Sequence, residues 1–83
     1  MSIVDERILE FLRDEGARQP KQIAGALRER GMDYNDKYIG RRCLALAEHE
    51  LLNNIGNGIY VIADSGERYL EGDLNLAVEY SSH

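Results

Sequence analysis

Residues 51–64 read LLNNIGNGIYVIAD, and their hydrophobic period differs from that of everything before them. Two short apolar segments flank Asn57-Gly58, the dipeptide favoured at the centre of a type I′ turn because both central residues must adopt positive φ. The stretch therefore predicts a β-hairpin, with Tyr60 and Ile62 on one strand face directed at the core. Asp64 followed by Glu67 reads as a capping box that opens a helix, SGERYLEG, interrupted at Gly72.

Before the hairpin the apolar residues recur at helical spacing. Asn35 is a good N-cap for a helix running to about His49. Upstream, Pro20 suits a first helical position, Ile23, Ala24 and Leu27 form a stripe, and Gly31 ends the helix near Arg30; Gln19 is a weak cap. Val4, Ile8, Phe11 and Leu12 mark a first helix that Gly16 stops. The predicted fold class is mainly α with a small β-hairpin. Helix, helix, short turn, helix, hairpin, helix is the order of a winged helix-turn-helix. One domain is expected over 1–83, with a core over 3–72 and a weakly patterned C-terminal tail over 73–83.

Composition narrows the function. An 83-residue chain is small for a self-sufficient core, so a homodimer is expected, with Leu70, Leu74, Leu76 and Ala77 and the first helix supplying the interface. The single Cys43 excludes an intrachain disulfide and a CxxC metal cage, and His49 and His83 lie far apart. No metal, cofactor or catalytic constellation is expected, and the protein reads as a non-enzyme. Asp5, Glu6 and Arg7 stand where a signal peptide needs apolar residues, and no run is long enough to span a membrane. A soluble, cytoplasmic protein is expected.

Charge is unevenly placed. Acidic residues number 15 against 10 basic, of which only Lys21 and Lys37 are lysines. Scarce lysine on an acidic chain reads as adaptation to high salt, or more plainly as an ordinary acidic domain. Between Ala17 and Arg42 seven basic residues face three acidic ones, a net +4, which leaves −9 for the rest of a chain whose total is −5. A basic face on an acidic body is the pattern of a nucleic-acid binder.

At about 100° per residue, Ile39, Cys43 and Leu46 share the core side of the third helix. Lys37, Gly40, Arg41 and Leu44 lie opposite. In the major groove of double-stranded DNA, Arg and Lys read guanine and apolar groups touch thymine methyls, so Lys37, Arg41 and Leu44 are candidate base contacts and Gly40 would admit close approach. Arg42 falls beside the core stripe: it either meets a phosphate or, the favoured alternative, pairs with an acidic residue of the first helix. Tyr34, Asn35, Gln19, Lys21 and Gln22 are candidate phosphate contacts at two helix N-termini, Asn35 equally serving as a cap alone. Asn54, Asn57 and the Gly56 and Gly58 amides of the hairpin could lie along DNA, but His49 to Ala63 holds no Lys or Arg, so weak contact is expected there. Cys43, Tyr60 and Tyr69 read as packing residues.

The blocks RILEFLRDEG, PKQIAGAL, GMDYNDKYIGRRC, LAEHELL and GNGIYVIADSGERYLEGDL resemble the small winged-helix proteins of halophilic archaea that are similar to the repressor of the haloarchaeal phage phi-H. The resemblance runs from about Arg7 to Leu74, and YIGRRC and GIY...D.G..YL.G.L are its most specific parts. It implies a DNA-binding transcriptional regulator of repressor type. The chain departs from that pattern at Glu50, where glycine is common, and at Ala63, where threonine is common. Glu50 is expected to weaken a left-handed helix end, and Ala63 to shift the fourth cap to Asp64. The competing reading is a winged-helix module that binds a protein partner and not DNA.

Overall fold

A computed structural model describes residues 2–72. Three helices, α1 (Ile3–Glu15), α2 (Pro20–Glu29) and α3 (Asp36–Glu48), precede strands β1 (Leu52–Asn54) and β2 (Tyr60–Ile62). A fourth helix, α4, covers 64–72. The expected helix-helix-helix-hairpin-helix order is present. Leu74, Leu76, Ala77 and the tail over 73–83 lie outside the described residues, and Gly72 is still helical at their limit.

The core is built from the predicted stripes. Val4, Ile8, Leu9, Phe11 and Leu12 of α1 meet Ile23, Ala24 and Leu27 of α2 and Ile39, Cys43 and Leu46 of α3, closed by Leu52 and Tyr60 from the hairpin. Each large apolar side chain so buried contributes about 1.5–3 kcal/mol. Ile62 is half-buried against this cluster.

The hairpin is antiparallel, with Leu52 opposite Ile62 and Asn54 opposite Tyr60. Asn57 and Gly58 take φ 54° and 71°, and the Ile59 amide donates to Gly56 O at 3.0 Å, which is the predicted type I′ turn. Unforeseen was a third element of the wing. Arg18 forms an antiparallel bridge with Tyr60, its amide donating to Tyr60 O at 3.1 Å and its carbonyl accepting from the Tyr60 amide at 2.9 Å. The connection between α1 and α2 is thereby tied to β2.

Two helix ends use the same device. After α2, Gly31 at φ 84° lets the Met32 amide reach Leu27 O at 2.9 Å and its own amide reach Arg28 O at 3.0 Å. After α3 the Leu51 amide reaches Leu46 O at 2.9 Å and Glu50 reaches Ala47 O at 3.0 Å, with Glu50 at φ 64°. Both are Schellman ends. The departure at Glu50 leaves the motif intact and strained.

The start of α4 corrects the capping expectation. The Ala63 amide is held by Leu51 O at 3.0 Å, and the Ala63 carbonyl accepts the first helical bond from Glu67, also at 3.0 Å. Ala63 is thus the cap residue and Asp64 the first residue of the helix, where its charge favours the helix dipole. The bond to Leu51 ends the extended chain one residue earlier than the Asp64/Glu67 pattern implied.

Candidate nucleic-acid interface

The third helix is positioned by its own cap and by α2. Asn35 Oδ1 accepts the Tyr38 amide at 2.7 Å, satisfying one of the orphan donors of the first turn. Asn35 therefore acts as the cap that one of its two readings required. Arg28, near the end of α2, donates to Tyr34 O at 3.2 Å and lies 3.5 Å from Asp36, so the short turn is bridged across its mouth. Half-buried Tyr34 stacks on Tyr38 with centroids 5.3 Å apart. The N-terminus of α2 is closed by Gln22 Oε1, which accepts the Gln19 amide at 2.9 Å; glutamine three residues on compensates the weak cap.

Burial on α3 follows the wheel, with one correction. Ile39, Cys43 and Leu46 are buried, while Lys37, Arg41 and Leu44 are exposed, Leu44 at 54 %. Gly40 is half-buried, and a Cβ there would lie 3.9 Å from Pro20 Cβ. It faces the first turn of α2, because its position on the helix leans toward that neighbour and away from the outermost line. Glu48, not singled out in the sequence, is also exposed and shares the side of Lys37, Arg41 and Leu44 by helical rotation.

Arg42 is the second correction to the set of DNA-contact candidates. Its Nε donates to Asp5 Oδ1 at 2.8 Å and its Nη2 to Asp5 Oδ2 at 2.7 Å, a bidentate pair with a carboxylate on α1 that is 1 % exposed. The favoured sequence reading, pairing with an acidic residue of the first helix, is what forms. Burial pushes the Asp5 carboxyl up, but hydrogen bonds and charge from Arg42, with bonds from Ser2, outweigh it and hold the group below its ordinary value. Asp5 itself was missed: in sequence it is indistinguishable from a solvated first-turn acid placed for the dipole. An open cleft of about 370 Å³ lies beside the pair, lined also by Ala45, Leu46, His49 and Leu51.

Most of the basic segment is already engaged. Arg18 donates to Ala17 O at 2.7 Å and lies 3.9 Å from Glu15; Arg28 meets Tyr34 and Asp36; Arg30 sits 5.4 Å above the Phe11 ring; Arg42 is held by Asp5. Lys21, Lys37 and Arg41 remain, exposed and without an ion pair among the described residues. All three sit on α2 and α3. Such side chains keep their donors for a partner.

The wing tip is exposed and uncharged. Asn54 Oδ1 accepts the Gly56 amide at 2.9 Å, so that amide, one of the two proposed for a nucleic-acid backbone, is spent within the loop. Asn57 and Ile55 stand exposed beside it. Cys43 is fully buried and its thiol is pushed up to about 12, chiefly by desolvation, which makes it a packing residue without thiolate chemistry. Burial likewise raises the Tyr60 phenol. Among the described residues no helix is long and apolar enough to cross a membrane.

Residues 1–79 match the winged helix-turn-helix phage repressor family. The protein belongs to that family. Consistent with this membership, the winged-helix chain superposes on the crystal structure of the PhiH1 repressor-like protein from Haloarcula marismortui with a TM-score of 0.77 and 39 % identity, over 87 % of this chain and 78 % of that one. None of the proteins with curated descriptions matches it. The resemblance read from YIGRRC and the hairpin block agrees with both findings.

Proposed function

We propose that this winged-helix protein is a sequence-specific, double-stranded-DNA-binding transcriptional regulator of repressor type, in which α3 enters the major groove. The observation that carries the reading is the state of the basic residues. Lys37 and Arg41 stand exposed and without an ion pair among the described residues, with Leu44 on the outer side of α3, while Arg18, Arg28, Arg30 and Arg42 are engaged within the protein. Arg41 and Lys37 then read guanine edges and Leu44 packs on a thymine methyl. Lys21, with Gln19, Gln22, Tyr34 and Asn35, lies near enough to the two helix starts to meet phosphates. Asn57 on the uncharged wing adds little.

An acidic total does not oppose this function in a salty cytoplasm. At ~1 M ionic strength the Debye length is about 3 Å, so long-range repulsion is screened and counterion release contributes less. Affinity then comes from short contacts and shape. A homodimer would present two α3 helices to a two-fold operator.

The test is selection of duplexes from a random pool, followed by binding to the selected operator and to a scrambled duplex across salt concentrations. Preference for the operator supports the reading. Equal affinity for both, together with retention of a protein partner, would move the assignment to a protein-interaction module. Sedimentation in molar salt that shows only monomer at high concentration, with and without operator, would remove the homodimer.

A further inference from the structure

We infer that Asp5, a residue of α1 outside the proposed DNA surface, is the positioning residue that sets the roll of α3 and thereby decides which of the two adjacent arginines faces the groove. Arg41 and Arg42 are chemically identical and separated by about 100° of helix rotation. Arg42 is clamped by both oxygens of Asp5 at 2.8 and 2.7 Å; Arg41 is exposed and has no ion pair among the described residues. The inference rests on the assignment of α3 to the major groove.

The roll of α3 matters because a rotation of only about 15–20°, at a side-chain radius of about 5–6 Å, displaces an outward group by about 1.5–2 Å. Base recognition needs placement within about 0.5 Å. Apolar contacts are non-directional, whereas a bidentate guanidinium-carboxylate fork has a single planar geometry, so the fork adds a directional constraint on the roll. Its anchor, Asp5, is 1 % exposed while Arg42 is half-buried, and a partly buried pair is screened less than a surface one. The exposed Arg28–Asp36 contact, at 45 % and 51 % side-chain exposure, would lose most of its attraction at molar salt. The Asp5–Arg42 clamp keeps its own.

Removing Asp5 has two consequences of opposite sign. Arg41 loses its fixed direction, which lowers operator affinity. Arg42 becomes a third free cation on α3, beside Lys37 and Arg41, which raises affinity for any duplex. A role in fold stability alone would lower both affinities together, in proportion to the folded fraction.

The experiment compares wild type, Asp5→Asn and Arg42→Lys on operator and scrambled duplexes across salt, with circular dichroism fixing the folded fraction. Asp5→Asn is expected to lose about tenfold or more on the operator, the size of a misplaced base contact. On the scrambled duplex it should bind as well as wild type or better, with a salt dependence steeper by up to about one unit. Arg42→Lys keeps the charge but loses the fork, so its operator preference should fall with no change in salt dependence. Folded variants that keep the wild-type ratio of operator to scrambled binding overturn the inference and leave the DNA reading intact. A wild type that does not discriminate overturns both. If neither variant folds, the pair is a stability element and the positioning role is rejected.

Discussion

Glu50 occupies at the end of α3 the left-handed position that Gly31 occupies at the end of α2, at φ 64° and 84° respectively. The two ends have the same pair of closing hydrogen bonds and differ in the residue that must bear the conformation. Left-handed backbone costs an L-residue about 1–2 kcal/mol, whereas glycine gives back about 0.4–1 kcal/mol through a more flexible unfolded chain. Glu50→Gly is therefore expected to stabilise the fold by about 0.5–1 kcal/mol. Gly31→Ala should destabilise it by a similar amount. Denaturant melts of the two variants check the opposite signs.

Gly66 is required by a close approach, since its own φ is not in the left-handed region. A Cβ at this position would overlap the Leu51 carbonyl oxygen and lie 2.8 Å from Ile62 Cγ1. The same oxygen accepts the Ala63 amide, so it cannot move aside without releasing the start of α4. Gly66→Ala should cost about 1–3 kcal/mol, the range for overpacking, and lower Tm by about 4–8 °C per kcal/mol in a domain of this size. A thermal melt at or above the wild-type Tm would contradict the packing described for α4.

The Asp5 carboxyl is held below its ordinary value of 3.8, which fixes the sign of a pH effect. A folded-state value depressed below the unfolded one contributes stability that is fully present above the unfolded value and is lost as pH falls through the folded one. The stability difference between wild type and Asp5→Asn should thus be constant above about pH 5 and shrink below about pH 4. Urea melts between pH 3 and 7 measure it; a difference independent of pH across that range would show that Asp5 is not ionised in the fold.

Arg41→Ala removes a proposed base contact worth about 1–3 kcal/mol and should relax sequence preference at one base pair. The protein should stay folded, because Arg41 is exposed while Ile39 and Cys43 are buried. Lys21→Ala should instead weaken operator and scrambled duplexes about equally and flatten the salt dependence by about one unit if it meets phosphate. A folded Arg41→Ala protein that binds both duplexes as wild type does would sink the recognition-helix assignment.

Short-range chemistry was legible in the sequence because its determinants lie within a few residues of one another. The Asn35 cap, the Asn57-Gly58 turn, the glycine end at Gly31 and the stripe through Ile39, Cys43 and Leu46 are each specified by local hydrogen bonds or by helical period, and their order determines a winged helix. What α3 presents outward, Lys37, Arg41 and Leu44, follows from the same period. Tertiary structure alone decided the partners of what does not point outward. It paired Arg42 with Asp5 across 37 positions, joined Arg18 to Tyr60, turned Gly40 toward Pro20 and laid Gly66 on Leu51. Helical period gives a residue's direction about its own axis and carries no information on which neighbour waits there, because that depends on the angle and distance at which separate elements pack.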